Sequence, residues 1–170
     1  ESYLTEAVEV GHVESNQLCY SLFMRAIEHA VQPMCASNDI SIICYSPLAQ
    51  GLLTGKFSTA DEVPEGRART RLFSKDRPQA RHGEDGCGEA AFAAVDKMRT
   101  LCETIGQPMG RVALGWLLAQ TAVTSVIAGA RNAAQARQNA EAADLELGSD
   151  VIEQLNRISE PVKTCLGRNA

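Results

Sequence analysis

The sequence predicts an α/β fold in which parallel strands alternate with helices. Residues 40–45 and 123–127 are rich in β-branched side chains, and each segment is followed by a loop and then by helical spacing of apolar residues. Strands that alternate with helices form βαβ units and therefore a parallel sheet. The 170 residues suit one domain, and 45% hydrophobic with 22% charged residues is an ordinary globular composition.

Three strands are predicted, the first of them more weakly than the others. It lies within residues 12–18. The second strand, residues 40–45, is closed by Pro47 because proline cannot continue a central strand. The third, residues 123–127, is closed by Gly129.

Helical spacing of apolar residues predicts three helices. The first begins near Met24 and ends near Pro33, and the second has one apolar face over residues 92–105. Residues 112–120 are apolar nearly all round, so we expect that helix to be buried.

Two further helices are predicted from their capping residues. Asn132 is the expected N-cap of a helix through Ala143, and Ser149 that of a helix through Ile158.

Residues 58–88 form a polar segment without periodicity that contains glycine, proline and six basic residues. A connection of this length is far beyond the usual 4–6 residues or so, and such loops are functional or disordered. A solvated charged loop is the alternative interpretation. We expect His82 to be solvated, and likewise most of the basic side chains: Arg69, Arg71, Lys75, Arg77 and Arg81.

The six cysteines form no Cys-x-x-Cys pair, and no histidine pair follows at zinc-finger spacing, so no metal site is predicted. Several lie in apolar runs, as Cys44 does, where a reduced thiol packs as a small hydrophobe. We therefore expect free thiols and a reducing cytoplasm.

The net charge of -5 argues against a nucleic-acid partner or an anionic membrane surface, which need broad basic surfaces. No apolar run reaches the roughly 20 residues that span a bilayer, and no secretory signal is visible. Glu1 opens in mid-pattern, so we expect a fragment.

A glycine-rich turn follows the second strand, in the run Tyr45-Ser46-Pro47-Leu48-Ala49-Gln50-Gly51-Leu52-Leu53-Thr54-Gly55-Lys56. Proline forces the turn, two glycines allow close approach of the backbone to a ligand, and the lysine supplies a cation. Phe57 after the lysine excludes a Walker loop. The run is compatible with an anion site.

A second candidate lies after the third strand, where Gly129, Arg131 and Asn132 lead into a helix. The N-terminus of a helix after such a turn is suited to phosphate. Gln135, Gln138 and Asn139 share one face of this helix. A capped helix with a solvated polar face is the alternative, and spacing alone favours it.

Five segments together, in this order, resemble the aldo-keto reductase family, and in particular the branch with bacterial reductases and the potassium-channel β subunits. They are residues 15–17, residues 20–25, the run 45–56, residues 113–118, and residues 126–132 with Gln135 and Asn139. The resemblance covers nearly all of residues 1–170. It implies a partial (β/α)8 TIM barrel, namely the C-terminal half with strands six to eight and their helices, and NADP as cofactor.

The resemblance also implies roles for individual residues at the nicotinamide and pyrophosphate end. Gln17 would hydrogen-bond the carboxamide, and Tyr45 would stack on the nicotinamide ring. Lys56 and Arg67 would supply positive charge, and residues 58–88 would be the belt that folds over the cofactor. The residues that would wrap the pyrophosphate are Ser46, Pro47, Leu48, Ala49, Gln50 and Gly51.

At the adenosine end, the resemblance implies that Gly129 and Arg131 hold the ribose phosphate. Gln135, Gln138 and Asn139 would contact adenine and its ribose. The family reduces carbonyl compounds with an aspartate, a tyrosine, a lysine and a histidine from the first four strands, and nothing here matches their motifs. Tyr3, Tyr20, His12 and His29 are interpreted as packing or surface residues.

The expected function is therefore that of the cofactor-binding half of an NADPH-dependent reductase of aldehydes or ketones, inactive alone and partnered by the missing N-terminal half. A non-catalytic module that senses NADP(H) is the alternative, and a non-functional remnant is a third possibility.

Overall fold

The computed structural model describes residues 2–168. Three parallel strands form one sheet in the order β1-β2-β3, with Gln17 beside Ile43 and Cys44 beside Val126. The predicted parallel sheet is thus confirmed within this chain. The elements in chain order are α1 (Ser2–Val10), β1 (Ser15–Cys19), α2 (Val31–Ser37), β2 (Ser41–Tyr45), α3 (Gly88–Thr104), α4 (Met109–Leu118), β3 (Val123–Val126), α5 (Ala133–Ala140) and α6 (Ser149–Leu166).

The two faces of the sheet differ. On β2, Ile42 and Cys44 are fully buried, whereas Ile43 is half-buried and Tyr45 exposed. Successive side chains of a strand point to opposite faces, so Gln17, Ile43 and Tyr45 share the second face. The core lies on the first face, where α4 contributes the fully buried Trp116 and Leu117. The buried character predicted for residues 112–120 is confirmed for 112–117, whereas Leu118, the last residue of α4, is exposed.

The first predicted helix is wrong in its position. Residues 26–29 form a short 3-10 turn, and the helix α2 begins only at Val31, so Pro33 lies in its first turn instead of ending it. A proline is tolerated there because the first N–H groups of a helix have no partner within the helix.

Two other helix boundaries differ from the prediction. The helix α5 ends at Ala140 instead of Ala143, and a 3-10 turn follows it over residues 141–144. The helix α6 is capped by Gly148 rather than Ser149, and it runs past Ile158 and Pro161 as far as Leu166. Packing of its buried Val162 and Leu166 stabilises the part of α6 that lies beyond the predicted end at Ile158.

The segment 58–88 is attached to the core rather than fully solvated. Val63, Ala68, Leu72 and Phe73 are buried, and a side chain at Gly86 would collide with the backbone of Phe73. The predicted exposure of the basic residues is wrong for Arg69, Arg71 and Arg77, which are half-buried, and holds for Lys75 and Arg81. The side chain of His82 is only 7% exposed, so its predicted solvation is also wrong.

The expectation that all cysteines are free is wrong for one pair. Cys87, next to the start of α3, forms a disulfide with Cys165 near the end of α6, and their Cα atoms are 6.0 Å apart. The two residues are 78 positions apart, so packing of α3 against α6 decides the pairing. Cys19, Cys35, Cys44 and Cys102 are free, and burial raises the pKa of the Cys44 thiol to about 12.

No helix between Ser2 and Arg168 combines the length and the apolar character needed to cross a membrane.

Candidate functional site

A cavity of about 660 Å³ opens at the carboxyl ends of β2 and β3. Its walls are the turn after β2, Gly66 and Arg67 of the long segment, the first turn of α4, the loop after β3, and α5. In open parallel sheets and in barrels, ligands bind at this end of the strands. Twelve of the fifteen residues predicted from the sequence line the cavity: Ser46, Pro47, Leu48, Gln50, Gly51, Lys56, Arg67, Gly129, Arg131, Gln135, Gln138 and Asn139.

The turn after β2 has an unusual backbone. Ala49, Gln50 and Gly51 follow one another with positive φ angles of 45°, 55° and 99°, and Ser46 has a φ of 55°. Non-glycine residues rarely adopt this conformation, and strained backbone of this kind is concentrated at functional sites. A Cβ atom on Gly51 would lie 3.0 Å from the Lys56 ammonium, so the glycine lets the lysine fold back over the turn.

Three basic side chains meet at this turn. The Nη1 atom of Arg67 would lie 3.7 Å from a Cβ at Gly51, and the Lys56 ammonium lies 4.8 Å from the centre of the Phe57 ring. Burial, followed by the positive charges of Arg67 and Arg131, lowers the pKa of Lys56. None of the three side chains forms an ion pair with a carboxylate of residues 2–168. Their mutual repulsion makes the cavity attractive to an anion.

The loop after β3 is held by polar side chains of α5. Asn132 caps the helix as predicted, accepting a hydrogen bond from the backbone N–H of Gln135 at 2.9 Å. The side-chain carbonyl of Gln135 accepts from the N–H of Arg131 at 3.0 Å, and the amide of Asn139 donates to the carbonyl of Gly129 at 3.2 Å. Two of the predicted adenosine contacts therefore also position the backbone that carries Arg131.

Three of the predicted residues lie outside the lining of this cavity. Gln17 and Tyr45 lie on the sheet face described above, where the Tyr45 side chain is 42% exposed. The side chain of Ala49 is buried in the core, which leaves its backbone as the part that faces the turn.

Sequence reasoning missed several wall residues, of which Arg111 and Glu141 are charged. The Nε–H of Arg111 donates to the carbonyl of Glu141 at 3.1 Å, and the two side chains are 4.0 Å apart. The sequence carried no indication of this pair, since residues 30 apart meet only when α4 and α5 pack together. The uncharged residues that were missed are Thr54, Gly66, Pro108, Met109, Gly110, Ile127 and Ala128.

Tyr20 and His12, which lie outside the cavity, have structural explanations. Tyr20 is fully buried, packs edge-on against Trp116, and donates its hydroxyl to Glu28 at 2.8 Å. Burial and the negative charge of Glu28 raise the pKa of Tyr20 far above its ordinary value. His12 is exposed beside Glu14, and no group of three potential metal ligands occurs in the part of the chain that the structure describes.

Comparisons with known proteins agree on one family. The model of the Aldo/keto reductase family matches residues 5–160. The chain is 27% identical over 161 residues to the NADH-specific methylglyoxal reductase of Escherichia coli (strain K12), covering 95% of this chain and 46% of that protein. It is 28% identical over 155 residues to the NADP(+) aldo-keto reductase yakc of Schizosaccharomyces pombe, covering 89% of this chain and 43% of that protein.

The fold is that of solved aldo-keto reductases. The chain superposes on the glycerol dehydrogenase AKR11B4 of Gluconobacter oxydans with a TM-score of 0.72 at 23% identity, covering 99% of this chain and 48% of that one. The chain thus spans about half the length of the relatives it matches, and its three-stranded sheet is consistent with part of a barrel. Because the family model matches nearly the whole chain, this protein belongs to the aldo/keto reductase family.

Proposed function

We propose that this chain is the cofactor-binding half of an oxidoreductase that reduces aldehydes or ketones with NADPH. The observation that carries the proposal is the cluster of Lys56, Arg67 and Arg131 around the turn at Gly51. A dinucleotide presents negatively charged phosphate groups, and cations without carboxylate partners are suited to bind them. When bound, reduced nicotinamide supplies the hydride that reduces a carbonyl carbon.

The cavity is arranged for an elongated ligand. Lys56 and Arg67 lie at the turn after β2 and would hold the pyrophosphate, while Gln138 and the free polar atoms of Gln135 and Asn139 would contact the adenosine. Tyr45 ends β2 immediately before the wall residue Ser46, so a ring bound at the near end of the cavity would stack on it. The absence of a Cβ at Gly51 leaves the backbone open to close approach.

Arg131 favours NADP over NAD. Its guanidinium can offer paired donors to the extra ribose phosphate of NADP beside the first turn of α5. An NAD site favours an acidic residue for the ribose hydroxyls. Glu141 is the acidic residue of this wall, and Arg111 engages it. One relative is named for NADH and another for NADP(+), so membership of the family does not decide which cofactor is bound. The preference for NADP is therefore proposed separately from the fold.

Titration of the chain with both cofactors tests the proposal. We expect Arg131→Ala to weaken NADPH binding by about 10- to 150-fold, since a charge-assisted hydrogen bond contributes about 1.5–3 kcal/mol. NADH binding should change little. Arg137→Ala, an exposed arginine of the same helix outside the cavity wall, is the matched control and should bind both cofactors normally.

Two outcomes contradict the proposal at different levels. If Arg131→Ala weakens the binding of NADPH and of NADH equally, the proposed preference for NADP is wrong. Arg131 would then contact a phosphate that both cofactors share. If the wild-type chain binds neither cofactor, the proposed cofactor site is itself wrong.

The proposal includes a partner, a substrate class and a location. The partner is the other half of the barrel, which would cover the face with Gln17, Ile43 and Tyr45. Small aldehydes or ketones are the proposed substrates, supported by the relative named a methylglyoxal reductase. The proposed location is the cytoplasm, which is expected of free thiols and is supported by the four cysteines that are free. The Cys87–Cys165 disulfide weighs against it because disulfides rarely persist in a reducing compartment.

A further inference from the structure

A second cavity, of about 740 Å³, lies beside the cofactor cavity. Gln50, Gly66 and Arg67 belong to both walls, so these residues separate one cavity from the other. The rest of the second wall comes mainly from the long segment 58–88, with Met24 from the loop after β1. None of the roles proposed above uses this cavity.

The wall of the second cavity is strongly basic. Four arginines face one acidic residue, Glu84. Hydrogen bonds from backbone N–H groups to its carboxylate, the charge of Arg71 and the neighbouring His82 lower the pKa of Glu84 despite some burial, so this residue stays charged. It lies 3.9 Å from Arg71 and 3.8 Å from His82, and the remaining positive charge is not neutralised.

The guanidinium groups of Arg69 and Arg81 have no hydrogen bond or ion pair with any residue of the described chain. Arg71, in contrast, donates to the carbonyl of Leu166 at 3.0 Å. Other arginines of the described chain, such as Arg25 and Arg99, are paired with carboxylates. Among the described residues, the unpaired guanidinium groups of Arg67, Arg69, Arg81 and Arg131 therefore line the two cavities, whereas that of Arg137 lies outside both.

Unsatisfied polar atoms are concentrated in the same wall. Among the described residues, six buried side-chain nitrogen or oxygen atoms lack a hydrogen-bond partner, and all but the Nε of Arg77 belong to residues of this wall. Buried polar groups are nearly always paired, so such a concentration calls for a missing partner. The atoms are Gln50 Oε1, Arg69 Nε, Thr70 Oγ1, Arg71 Nε and His82 Nε2.

We propose that the second cavity binds an oxyanion, the phosphate or carboxylate group of the carbonyl substrate. Guanidinium groups bind such oxyanions with paired hydrogen bonds. Arg67 lies in both walls and would face the cofactor phosphates on one side and the substrate anion on the other. The substrate class would then be an anionic aldehyde or ketone. That the bound anion belongs to the carbonyl substrate rests on the proposed function, whereas the binding of an anion in the second cavity does not.

Calorimetric titration of the 170-residue chain tests the site. Inorganic phosphate and acetate are titrated in separate experiments, at constant ionic strength and with NADPH at saturation. The variant Arg69→Gln/Arg81→Gln should bind the preferred anion about 100-fold more weakly, at about 10-fold for each lost charge-assisted bond. Its NADPH affinity should match that of the wild type. Arg137→Gln, an unpaired arginine outside both walls, is the control.

The two titrants distinguish the two anion classes, because the tighter one identifies phosphate or carboxylate as the group that the site takes. Anion binding that disappears at saturating NADPH overturns the proposal, since the anion then occupies the cofactor cavity. A loss of NADPH affinity in the double variant, or equal weakening of the anion by Arg137→Gln, overturns it as well.

Two further measurements keep the test independent of folding and of the cofactor. Arg81 is exposed, so the single variant Arg81→Gln should fold and show the loss of about 10-fold even if the double variant unfolds. If the wild type does not bind NADPH, the proposed function fails. The phosphate and acetate titrations without cofactor still decide whether Arg69 and Arg81 form an anion site.

Discussion

The Glu28 carboxylate connects the segment after β1 to α6. One oxygen accepts from the Nε of Arg25 and the hydroxyl of Tyr20, both at 2.8 Å, and the other accepts from Lys163 at 2.8 Å. Arg25 in turn donates to Ser159 at 2.9 Å and lies over the Trp116 ring. Burial alone would raise the pKa of Glu28, but hydrogen bonds from Arg25, Lys163 and Tyr20, together with the charge of Arg25, outweigh it and lower the pKa.

We expect Glu28→Gln to lower the free energy of unfolding by about 3 kcal/mol at neutral pH, because it removes the anion shared by the half-buried Lys163 and the buried Arg25. Within residues 2–168, Arg25 then keeps only the more exposed Glu160 as a carboxylate partner, at 3.5 Å. A lowered pKa in the folded state means that this stabilisation is present above the ordinary value of 4.5 and is lost as the pH falls through the folded-state pKa. Denaturant unfolding at several pH values measures both effects.

The matched control is Glu153→Gln, which breaks an exposed helical ion pair with Arg157 at 3.7 Å. Exposed pairs contribute less than about 1 kcal/mol, so this variant should stay close to the wild type. Equal losses in the two variants would show that the Glu28 network contributes no more than a surface pair.

At the scale of elements, the segment 58–88 is attached to α6 at its far end. The disulfide joins Cys87 to Cys165, and Arg71 donates to the carbonyl of Leu166 one residue later. The segment also supplies Arg67 to both cavities. Attachment of this segment therefore helps to determine the shape of both cavity walls.

We expect Cys165→Ser to lower the free energy of unfolding by about 2–4 kcal/mol. The disulfide joins residues 78 apart, and such a bridge removes conformational entropy from the unfolded chain. A reducing agent should destabilise the wild type by a similar amount and leave the variant unchanged. Wild type whose unfolding is insensitive to reduction would contradict the prediction.

At the scale of the whole molecule, the chain presents an open sheet with β1 and β3 at its edges. In a closed barrel no strand is an edge, and the face with Gln17, Ile43 and Tyr45 would point inward. This chain therefore carries the cavity at the carboxyl ends of β2 and β3 together with an open sheet.

We expect the 170-residue chain to bind NADPH but not to oxidise it with methylglyoxal or other carbonyl compounds. The Tyr20 hydroxyl is buried and bonded to Glu28, and Tyr3 is 84% exposed, so neither is placed as a general acid in the cavity. General acid catalysis contributes about 10²–10⁴ in rate. Absorbance of reduced nicotinamide follows the reaction, and turnover above the buffer control that Tyr20→Phe abolishes would contradict the expectation.

The framework of the first cavity could be predicted from local sequence. Pro47 and Gly129 end their strands through their own backbone restrictions, and Asn132 caps α5 by a contact three residues away. Residues that follow the carboxyl ends of neighbouring parallel strands necessarily meet at one edge of the sheet. The sequence by itself therefore determined the three strands, the turn after β2 and the cap of α5, and the family resemblance supplied the individual wall residues.

Only the tertiary structure decided the features that join distant segments. The Cys87–Cys165 bridge, the burial of His82 and the Arg111–Glu141 pair depend on how helices and the long segment pack, and no local pattern encodes those contacts. The second cavity also depends on packing of distant segments, since Met24, Gln50 and residues of the long segment line it together. Local backbone preference acts over a few residues, whereas packing selects partners along the whole chain.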